Sequence, residues 1–280
     1  MERLCSIYFE LSNEERLEIL KILEVSPQNF THISEKLSLN SQQCSRHLTR
    51  LLEANLIEKK PDGPYHISKY GRLLLELSQS FDFATTWKDY FLIHDLSKIS
   101  YEFQTRLGDL SKSRYIPNVM NSISEFESII NEAEELLWVI INKRTRSVRP
   151  FVARAVERGI NLMSISPTSY VPEIDVKRFI SEADELTIIK AEAEGRAEVA
   201  DTEQFDVYLW VSEKAAFISF PLNDGTFDYT GFISSDQRAV GYCRDLFYYY
   251  WKCVRVIPKV ELVERHLKYV HYYGVYPKYP

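Results

Sequence analysis

Apolar residues recur at helical spacing in three successive segments near the N-terminus. Residues 13–23 form the first, and Ser12 with Glu15 three positions later fits a capping box at its start. A second helix is predicted from Thr31, a good N-cap residue. A third starts near Ser41. Three short helices in this order are typical of a helix-turn-helix, in which the third helix enters the major groove of DNA.

The third of these helices has two contrasting faces. Its apolar stripe falls at i, i+4, i+7 and i+8 and consists of Cys44, Leu48, Leu51 and Leu52. The other positions carry side chains that hydrogen-bond to base edges and phosphates, and we expect them to contact DNA: Ser41, Gln42, Gln43, Ser45, Arg46, His47, Thr49 and Arg50. A solvated polar face explains this helix equally well when it is considered by itself.

The segment after this helix favours the DNA-binding interpretation. Residues 56–60 can form a strand, residues 61–64 a tight turn, and residues 65–68 a returning strand. This is the pattern of a β-wing directly behind a recognition helix. The wing adds Lys59, Lys60 and Gly63 to the expected DNA-contacting residues.

These motifs resemble a known family. The stretches SRHLTRLLEANLIEKK (45–60) and YHISKYG (65–71) are similar to the winged helix of bacterial and archaeal arsenic-repressor-type regulators, over roughly residues 10–78. The resemblance implies that the serine, arginine and histidine lie on the recognition helix and that double-stranded DNA is the partner. The metal-binding cysteine pair of the arsenic repressors is missing, since Cys44 stands alone, so the resemblance carries over DNA binding and not metal sensing.

The remainder of the chain changes character twice. Residues 81–125 are rich in aromatic side chains and predict a helical linker, with a dimer-forming helix as an alternative. From residue 126 the pattern alternates between helix and strand, and a strand–helix–strand unit over 137–165 predicts a parallel pair. Five further strands are predicted at 186–190, 197–199, 207–211, 215–220 and 227–233, the last two forming a hairpin, and a final helix at 235–254.

The expected fold class is therefore α+β with an α/β part. It comprises a winged helix-turn-helix (1–80), a helical linker (81–125) and an α/β effector-sensing domain (126–280). Two stretches, residues 94–113 and 232–252, resemble the sensor domain of archaeal methanogenesis-type regulators, whose fold is related to phospholipase D halves. That relation raises a nuclease as one rival interpretation. A winged-helix protein-interaction module without DNA binding is the other.

Phospholipase-D chemistry needs the spacing H-x-K-x4-D, with a histidine nucleophile, a lysine on the phosphate and an orienting aspartate. His266 and Lys268 supply the first half, but Tyr273 occupies the aspartate position. The five other histidines have no lysine two residues later. The sequence therefore predicts a protein that is not an enzyme and needs no cofactor.

A basic cluster follows the first strand of the α/β part. Lys143, Arg144, Arg146 and Arg149 lie where a helix begins. Ligands of open α/β sheets collect beyond the carboxyl ends of strands, and a helix N-terminus adds partial positive charge. We expect a small anionic effector here. A solvated basic helix start, or ion pairs with the acidic rest of the domain, remains the simpler alternative.

Charge and composition refine these expectations. The net charge is −6, yet residues 41–72 carry six basic residues against three acidic ones, which suits a regulator that must leave DNA as well as bind it. No apolar run approaches the roughly 18 residues of a membrane span. The four cysteines are far apart and include no CxxC pair, so we expect reduced thiols in a cytoplasmic protein. Specific DNA binding normally needs two half-sites, which predicts a homodimer.

Overall fold

The computed structural model describes residues 1–61, 63–142, 146–167 and 182–258. The chain divides into two compact units, Met1–Asp82 and Phe83–Pro280. The first unit ends at Asp82, two residues beyond residue 80, where the DNA-binding domain was predicted to end. Nearly all of the segment predicted as a helical linker, residues 81–125, belongs to the second unit.

Helices and a two-stranded sheet make up the first unit. In chain order these are α1 (Glu2–Leu11), α2 (Glu14–Val25), α3 (Phe30–Lys36), α4 (Ser41–Glu53), β1 (Ile57–Lys59), β2 (Tyr65–Ile67) and α5 (Lys69–Thr86), whose last four residues belong to the second unit. Helix α1 was not predicted from the sequence. The helix-turn-helix and the wing were predicted, and both are confirmed.

Asparagines cap the three helices that follow α1. The side chains of Asn13, Asn29 and Asn40 accept hydrogen bonds from backbone N–H groups three residues ahead. The predicted caps Ser12 and Thr31 are wrong, because in each case a nearby asparagine has the extended backbone that an N-cap requires and takes the position. The capping preferences of serine, threonine and asparagine are similar, so the sequence could not separate them.

The core of the first unit joins the three central helices to the wing. Ile19, Leu20, Ile33, Leu48 and Leu51 are all buried within it. Two backbone hydrogen bonds, in which Gln28 and Tyr65 each donate to the other's carbonyl oxygen, tie the start of β2 to the turn before α3. The wing is therefore anchored at its base by helices on both sides of it in the sequence.

The second unit contains the remaining elements. They are α6 (Lys88–Ile93), α7 (Tyr101–Gln104), β3 (Arg114–Ile116), α8 (Val119–Glu132), β4 (Leu136–Ile140), α9 (Arg149–Glu157), β5 (Asn161–Pro167), α10 (Glu182–Glu194), β6 (Ala197–Thr202), β7 (Tyr208–Ser212), β8 (Ala216–Ser219), β9 (Gly231–Ser234), α11 (Gln237–Trp251) and β10 (Arg255–Val256). Short 3-10 turns occupy Leu107–Leu110 and Arg146–Val148.

One mixed sheet, with eight strands among the described residues, organises this unit. The strand order is β10-β6-β5-β4-β7-β8-β9-β3. Strands β4, β5 and β6 are parallel, which confirms the predicted parallel pair, and the other neighbours are antiparallel. One face packs against α11 and the segment from α6 to residue 110, and the other packs against α8, α9 and α10. Burial on both faces explains why strands such as β4 are almost continuously apolar.

Two predictions for this unit are corrected. Residues 186–190 were expected to form a strand but lie inside α10. The buried Ile188 and Ala191 are three residues apart, as a helix requires, and the glutamate- and alanine-rich flanks favour helix over the local β-branched residues. The predicted hairpin is real, since β8 pairs with β9, but the second strand begins only at Gly231.

The aromatic segment after residue 86 also differs from expectation. It forms the two short helices α6 and α7 rather than one long helix. Tyr90 and Phe103 are buried in the core, and Trp87 and Phe91 pack against it. Their rings contact Phe232 and other core aromatics, so they are not available as a dimer surface. The tyrosine-rich tail at 269–280 lies outside the described residues.

Over the ranges that the structure describes, none of the helices is long and apolar enough to cross a membrane.

Gly71, near the start of α5, packs against the backbone of Leu56. A Cβ at this position would overlap the carbonyl oxygen of Leu56, which cannot move without breaking the hydrogen bond it accepts from Ser68 N. We expect Gly71→Ala to destabilise the first unit by about 2 kcal/mol, the usual effect of overpacking. Chemical denaturation followed by circular dichroism measures this.

The matched control is Gly241→Ala in α11, where no atom lies within 4 Å of the added Cβ. Alanine favours a helix interior over glycine by about 0.5–1 kcal/mol, so this variant is expected to be stabilised. Equal effects of the two substitutions would contradict the close approach of Gly71 to Leu56.

Candidate nucleic-acid interface

Helix α4 turns one apolar face inward and one polar face outward. Cys44, Leu48 and Leu51 are at most 1% exposed. The exposed polar residues cover the outer face of the first two turns or so of the helix, and they are Ser41, Gln42, Gln43, Ser45, Arg46 and Thr49. A ridge of hydrogen-bonding side chains on a firmly packed helix is what major-groove reading requires.

The first turn of α4 is closed by a reciprocal cap. Asn40 Oδ1 accepts from the backbone N–H of Gln43 at 2.9 Å, and Gln43 Oε1 accepts from the backbone N–H of Asn40 at 3.1 Å. Gln43, expected to read bases, thus has its amide oxygen committed to the helix start. Its neighbour Gln42 is exposed at the same end of the helix.

Arg50 is held by a carboxylate that the sequence analysis missed. Its Nε donates to Glu10 Oε2 at 3.0 Å, and its Nη2 forms an ion pair with Glu10 Oε1. Arg16 shares the same carboxylate, with Nε 3.1 Å from Oε2. Both guanidinium groups also lie over the ring of Phe9, at 4.9 Å and 5.7 Å from its centroid. Arg50 therefore connects the recognition helix to α1.

Burial makes this arrangement more than a surface ion pair. The side chains of Glu10 and Arg16 are 9% and 8% exposed. Arg16 also donates to the backbone oxygens of Glu10 and Phe9, at the end of α1. No local pattern identifies Glu10, because its partner Arg50 lies 40 residues away in the sequence.

His47 is half-buried between the two faces of α4. Burial lowers the pKa of His47, and the nearby positive charges of Arg16, Arg46 and Arg50 lower it further. The negative charge of Glu15 raises this pKa but does not outweigh the other effects. The ring is therefore neutral near pH 7 and adds no positive charge to the helix. It stays a candidate hydrogen-bonding group, as expected, but not a cation for phosphate.

The wing, which directly follows α4 in the chain, carries two lysines. Lys59 and Lys60 are exposed, and Lys59 Nζ lies 5.0 Å from the centroid of the Tyr65 ring, which orients its stem along β2. Gly63 closes the turn by donating its N–H to the carbonyl oxygen of Lys60 at 3.1 Å. These are the three wing residues that the sequence predicted.

The predicted effector residues are described only in part. Lys143 and Arg144 lie outside the described residues, and so does the side chain of Arg146, whose backbone opens the 3-10 turn before α9. Arg149 is the first residue of α9 and lines a cavity between that helix and the sheet. The structure thus associates one of the four basic residues with a cavity.

Cys44, on the inner face of α4, adds no thiolate to this surface. Cys44 is buried, and burial raises the pKa of its thiol, so it remains protonated. Within the ranges 1–61, 63–142, 146–167 and 182–258 there is no group of three histidine, cysteine, aspartate or glutamate residues placed to hold a metal ion.

Comparison with known proteins agrees with this geometry. Residues 13–59 match the helix-turn-helix model described as bacterial regulatory protein, arsR family. This range covers α2, α3, α4 and the first wing strand. The first unit is therefore a winged helix-turn-helix that is similar to the arsR-family model over these residues, which confirms the resemblance stated above for this part of the chain. No curated protein matches the chain.

Several solved structures are similar to this chain at low identity. One is TrmBL2, described as an archaeal chromatin protein with a novel mode of DNA binding, with 14% identity, a TM-score of 0.42, and coverage of 88% of this chain and 94% of that one. Nuc, a phospholipase D family member from Salmonella typhimurium, has 9% identity, a TM-score of 0.35 and coverage of 52% and 96%. NucT from Helicobacter pylori has 13% identity, a TM-score of 0.37, and coverage of 52% of this chain and 98% of that one.

Replacing Glu10 by glutamine tests the link between α1 and α4. The bond from Arg50 and the charge of Arg16 hold the pKa of Glu10 below its ordinary value of 4.5, although burial opposes them. Removing one member of a buried ion pair leaves the other charges uncompensated, so we expect Glu10→Gln to destabilise the first unit by about 3 kcal/mol at pH 7. Denaturant titration measures the change.

The pH dependence gives a second readout of the same substitution. A carboxyl whose pKa falls on folding stabilises the protein above its unfolded-state pKa, and this contribution disappears as the pH drops through the folded-state pKa. The difference in the free energy of unfolding between wild type and Glu10→Gln should therefore narrow below pH 4.5. The exposed Glu35→Gln in α3 is the control, and a pH-independent difference would contradict the ionised role of Glu10.

Proposed function

We propose that the chain is a homodimeric DNA-binding transcription regulator whose second unit receives a small effector. The observation that carries the proposal is the exposed polar ridge of α4, in particular Gln42, Ser45, Arg46 and Thr49, followed directly by a wing with two exposed lysines. The arsR-type match over residues 13–59 supports the same class. Double-stranded DNA is the proposed partner.

Each part of this surface has a distinct proposed task. Arg46 is exposed in the N-terminal half of α4 and can donate two hydrogen bonds to the O6 and N7 acceptors of guanine. Lys59 and Lys60 contact phosphates, which strengthens binding without reading sequence. Arg50 and Gln43 act mainly by positioning, since one is bound to Glu10 and the other to the Asn40 backbone.

The acidic remainder of the protein shapes this binding. With a net charge of −6, long-range electrostatics disfavour non-specific association with DNA. The local basic residues of the helix and wing must therefore supply the attraction at short range. Because attraction of this kind depends on releasing counterions from DNA, binding should weaken steeply as salt increases.

Helix α5 offers a surface for the second copy. Four large apolar residues recur every three or four positions along it: Tyr70, Leu73, Leu77 and Phe81. Their exposed fractions range from 45% for Tyr70 to 74% for Phe81. An apolar stripe along an 18-residue helix suits antiparallel or parallel packing against the same helix of another chain. Two wings and two recognition helices would then contact two half-sites about 34–36 Å apart.

The effector role is proposed for the start of α9. Lys143, Arg144, Arg146 and Arg149 concentrate positive charge there, and Arg149 borders a cavity. A ligand can change DNA affinity only as far as it prefers one conformation of the protein over another. The sequence lacks the H-x-K-x4-D spacing, and we propose a binding role rather than catalysis for this unit.

A protein-interaction module without DNA binding is the alternative. The basic residues Arg46, Lys59 and Lys60 favour DNA over a protein partner. The two proposals differ in a direct measurement, because only a DNA-binding protein retains double-stranded DNA from a random-sequence pool at physiological salt.

Arg46→Ala tests the recognition helix. We expect binding at least about five-fold weaker to DNA that the wild-type chain selects from a random pool, since one arginine–guanine contact contributes about 1–3 kcal/mol. A gel-shift assay at fixed salt measures it. The control is Lys21→Ala on α2, which removes an equal charge away from α4 and should change affinity little. Equal losses in both variants would refute a specific role for Arg46.

Leu77→Glu tests the dimer. Placing a charge in the apolar stripe of α5 should give a monomeric mass by light scattering at micromolar concentration, while circular dichroism stays unchanged. Glu76→Ser, one residue earlier and off the stripe, should remain dimeric. A wild-type protein that is itself monomeric under these conditions would rule out the proposed assembly.

A further inference from the structure

A cavity lies between the sheet and two helices of the second unit. Its floor includes a row of four residues that pair across neighbouring strands: Trp210 of β7 with Val139 of β4, Val139 with Ser164 of β5, and Ser164 with Val199 of β6. Cross-strand partners share a face of the sheet, so these four side chains point the same way. Residues of α9 and α10 form the opposite wall.

Ser164 leaves space unfilled in this row. Its partners on both sides are valines, and it is half-buried, whereas the other three residues of the row are buried. A serine is smaller than the branched side chain that would continue the row. The resulting cavity measures about 50 Å³, which is room for about three or four water molecules or for one molecule with about four non-hydrogen atoms.

Trp210 brings a buried hydrogen-bond donor to the lining of the cavity. This residue is 2% exposed, and its indole Nε1 has no hydrogen-bond partner among the described residues. A buried N–H that has left water without gaining a new acceptor costs free energy, and an acceptor that enters the cavity removes this cost. The hydroxyl group of Ser164, two strands away in the same row, both donates and accepts. The cavity therefore favours an occupant with at least one acceptor atom.

The charged residues of the lining do not select a charged ligand. Arg149 and Glu192 already interact with other groups of the chain, so neither sets a charge requirement on an occupant. An ion in the cavity would lose its water and find no counter-charge in the described lining that is not already engaged. Burying an ion in this way is far more costly than burying a neutral polar group. Most of the remaining lining is apolar and includes Val148, Val152 and Ile188, which suits small apolar groups on the ligand.

We propose that this cavity binds a small neutral carbonyl compound, such as a short ketone or a primary amide. The carbonyl oxygen accepts the hydrogen bond of the Trp210 indole N–H, and the rest of the molecule fills the space above Ser164. The inference rests on the proposed function, because it names the chemical class of the effector for the second unit. This class differs from the anion that the basic cluster suggests, since Arg149, the residue of that cluster on the described lining, is already engaged.

Nuclear magnetic resonance of the full chain, with ¹⁵N-labelled tryptophan, tests the site. The chain has four tryptophans, and the indole signal of Trp210 is the one that is missing from the spectrum of Trp210→Phe. Acetone and acetamide should each move this signal downfield saturably, because the N–H gains an acceptor. Ligands of this size bind no more tightly than about 40 µM, so the titrations extend into the millimolar range. Absence of a saturable shift with both compounds overturns the proposal.

Charged molecules of the same shape test whether the site prefers a neutral ligand. Acetate and acetamidinium match acetamide in size but carry a negative and a positive charge, so each should bind at least about ten-fold more weakly. Benzamide keeps the carbonyl group but exceeds the cavity and should leave the Trp210 signal in place. Binding of either ion as tightly as acetamide, or saturable binding of benzamide, would contradict the proposed class of ligand.

Variants locate the binding in the cavity. Ser164→Val fills the space and should abolish the response of the Trp210 signal to acetamide, while the other three indole signals report that the fold is kept. Trp210→Phe keeps a ring but removes the donor, and acetamide binding, measured by the rise in the unfolding temperature, should weaken about five-fold. The matched control is Trp138→Phe, because Trp138 is also buried but stacks on Phe247 at the opposite face of the sheet. Wild-type affinity in both Ser164→Val and Trp210→Phe would place the ligand elsewhere and overturn the assignment.

A gel-shift assay separates this proposal from the proposed function, because ligand binding is measured without DNA. Saturable acetamide binding by a chain that retains no DNA would refute the regulator and leave the cavity assignment standing. DNA retention without saturable binding of acetone or acetamide would do the reverse. Where both hold, acetamide should change DNA affinity by the same factor by which DNA changes the affinity for acetamide, because linkage is reciprocal.

Discussion

A carboxylate removed from water between two guanidinium groups fixes the orientation of the recognition helix in this protein. Glu10 closes α1, and Arg16 and Arg50 reach it from α2 and α4. Burying charges costs solvation free energy, so such a triad adds little net stability over a well-packed apolar contact. Its geometry, however, is demanding, because all three groups must meet at once. The interaction thus selects one arrangement of three helices rather than simply strengthening the fold.

This constraint has a consequence for how the helix can meet DNA. With Arg50 committed to Glu10 and Gln43 to the cap, the exposed face of α4 is narrower than its polar residues suggest. Arg46 becomes the exposed arginine of that face. A rigid helix with few reading groups loses little conformational entropy on binding, which makes each remaining contact more effective.

The second unit obeys a different constraint, which is burial of its sheet on both faces. Most positions of the central strands are then apolar, and aromatic residues from α6, α7 and α11 fill one side. Against this background a serine in the middle of a cross-strand row stands out. The sequence alone does not reveal it, because the four residues of the row come from four strands spread between positions 139 and 210.

Local periodicity and turn chemistry were sufficient to determine the helix-turn-helix, the wing and the exposed face of α4 from the sequence, since each depends on residues within a few positions of one another. The parallel strands β4 and β5 followed from the same kind of pattern. The tertiary structure alone decided the rest. It made α10 a helix, chose asparagine caps over the neighbouring serine and threonine, buried the aromatic segment, and brought Glu10 to Arg50 across 40 residues. Contacts between distant positions carry no signature in the local sequence, because their energy comes from packing that exists only once the chain has folded.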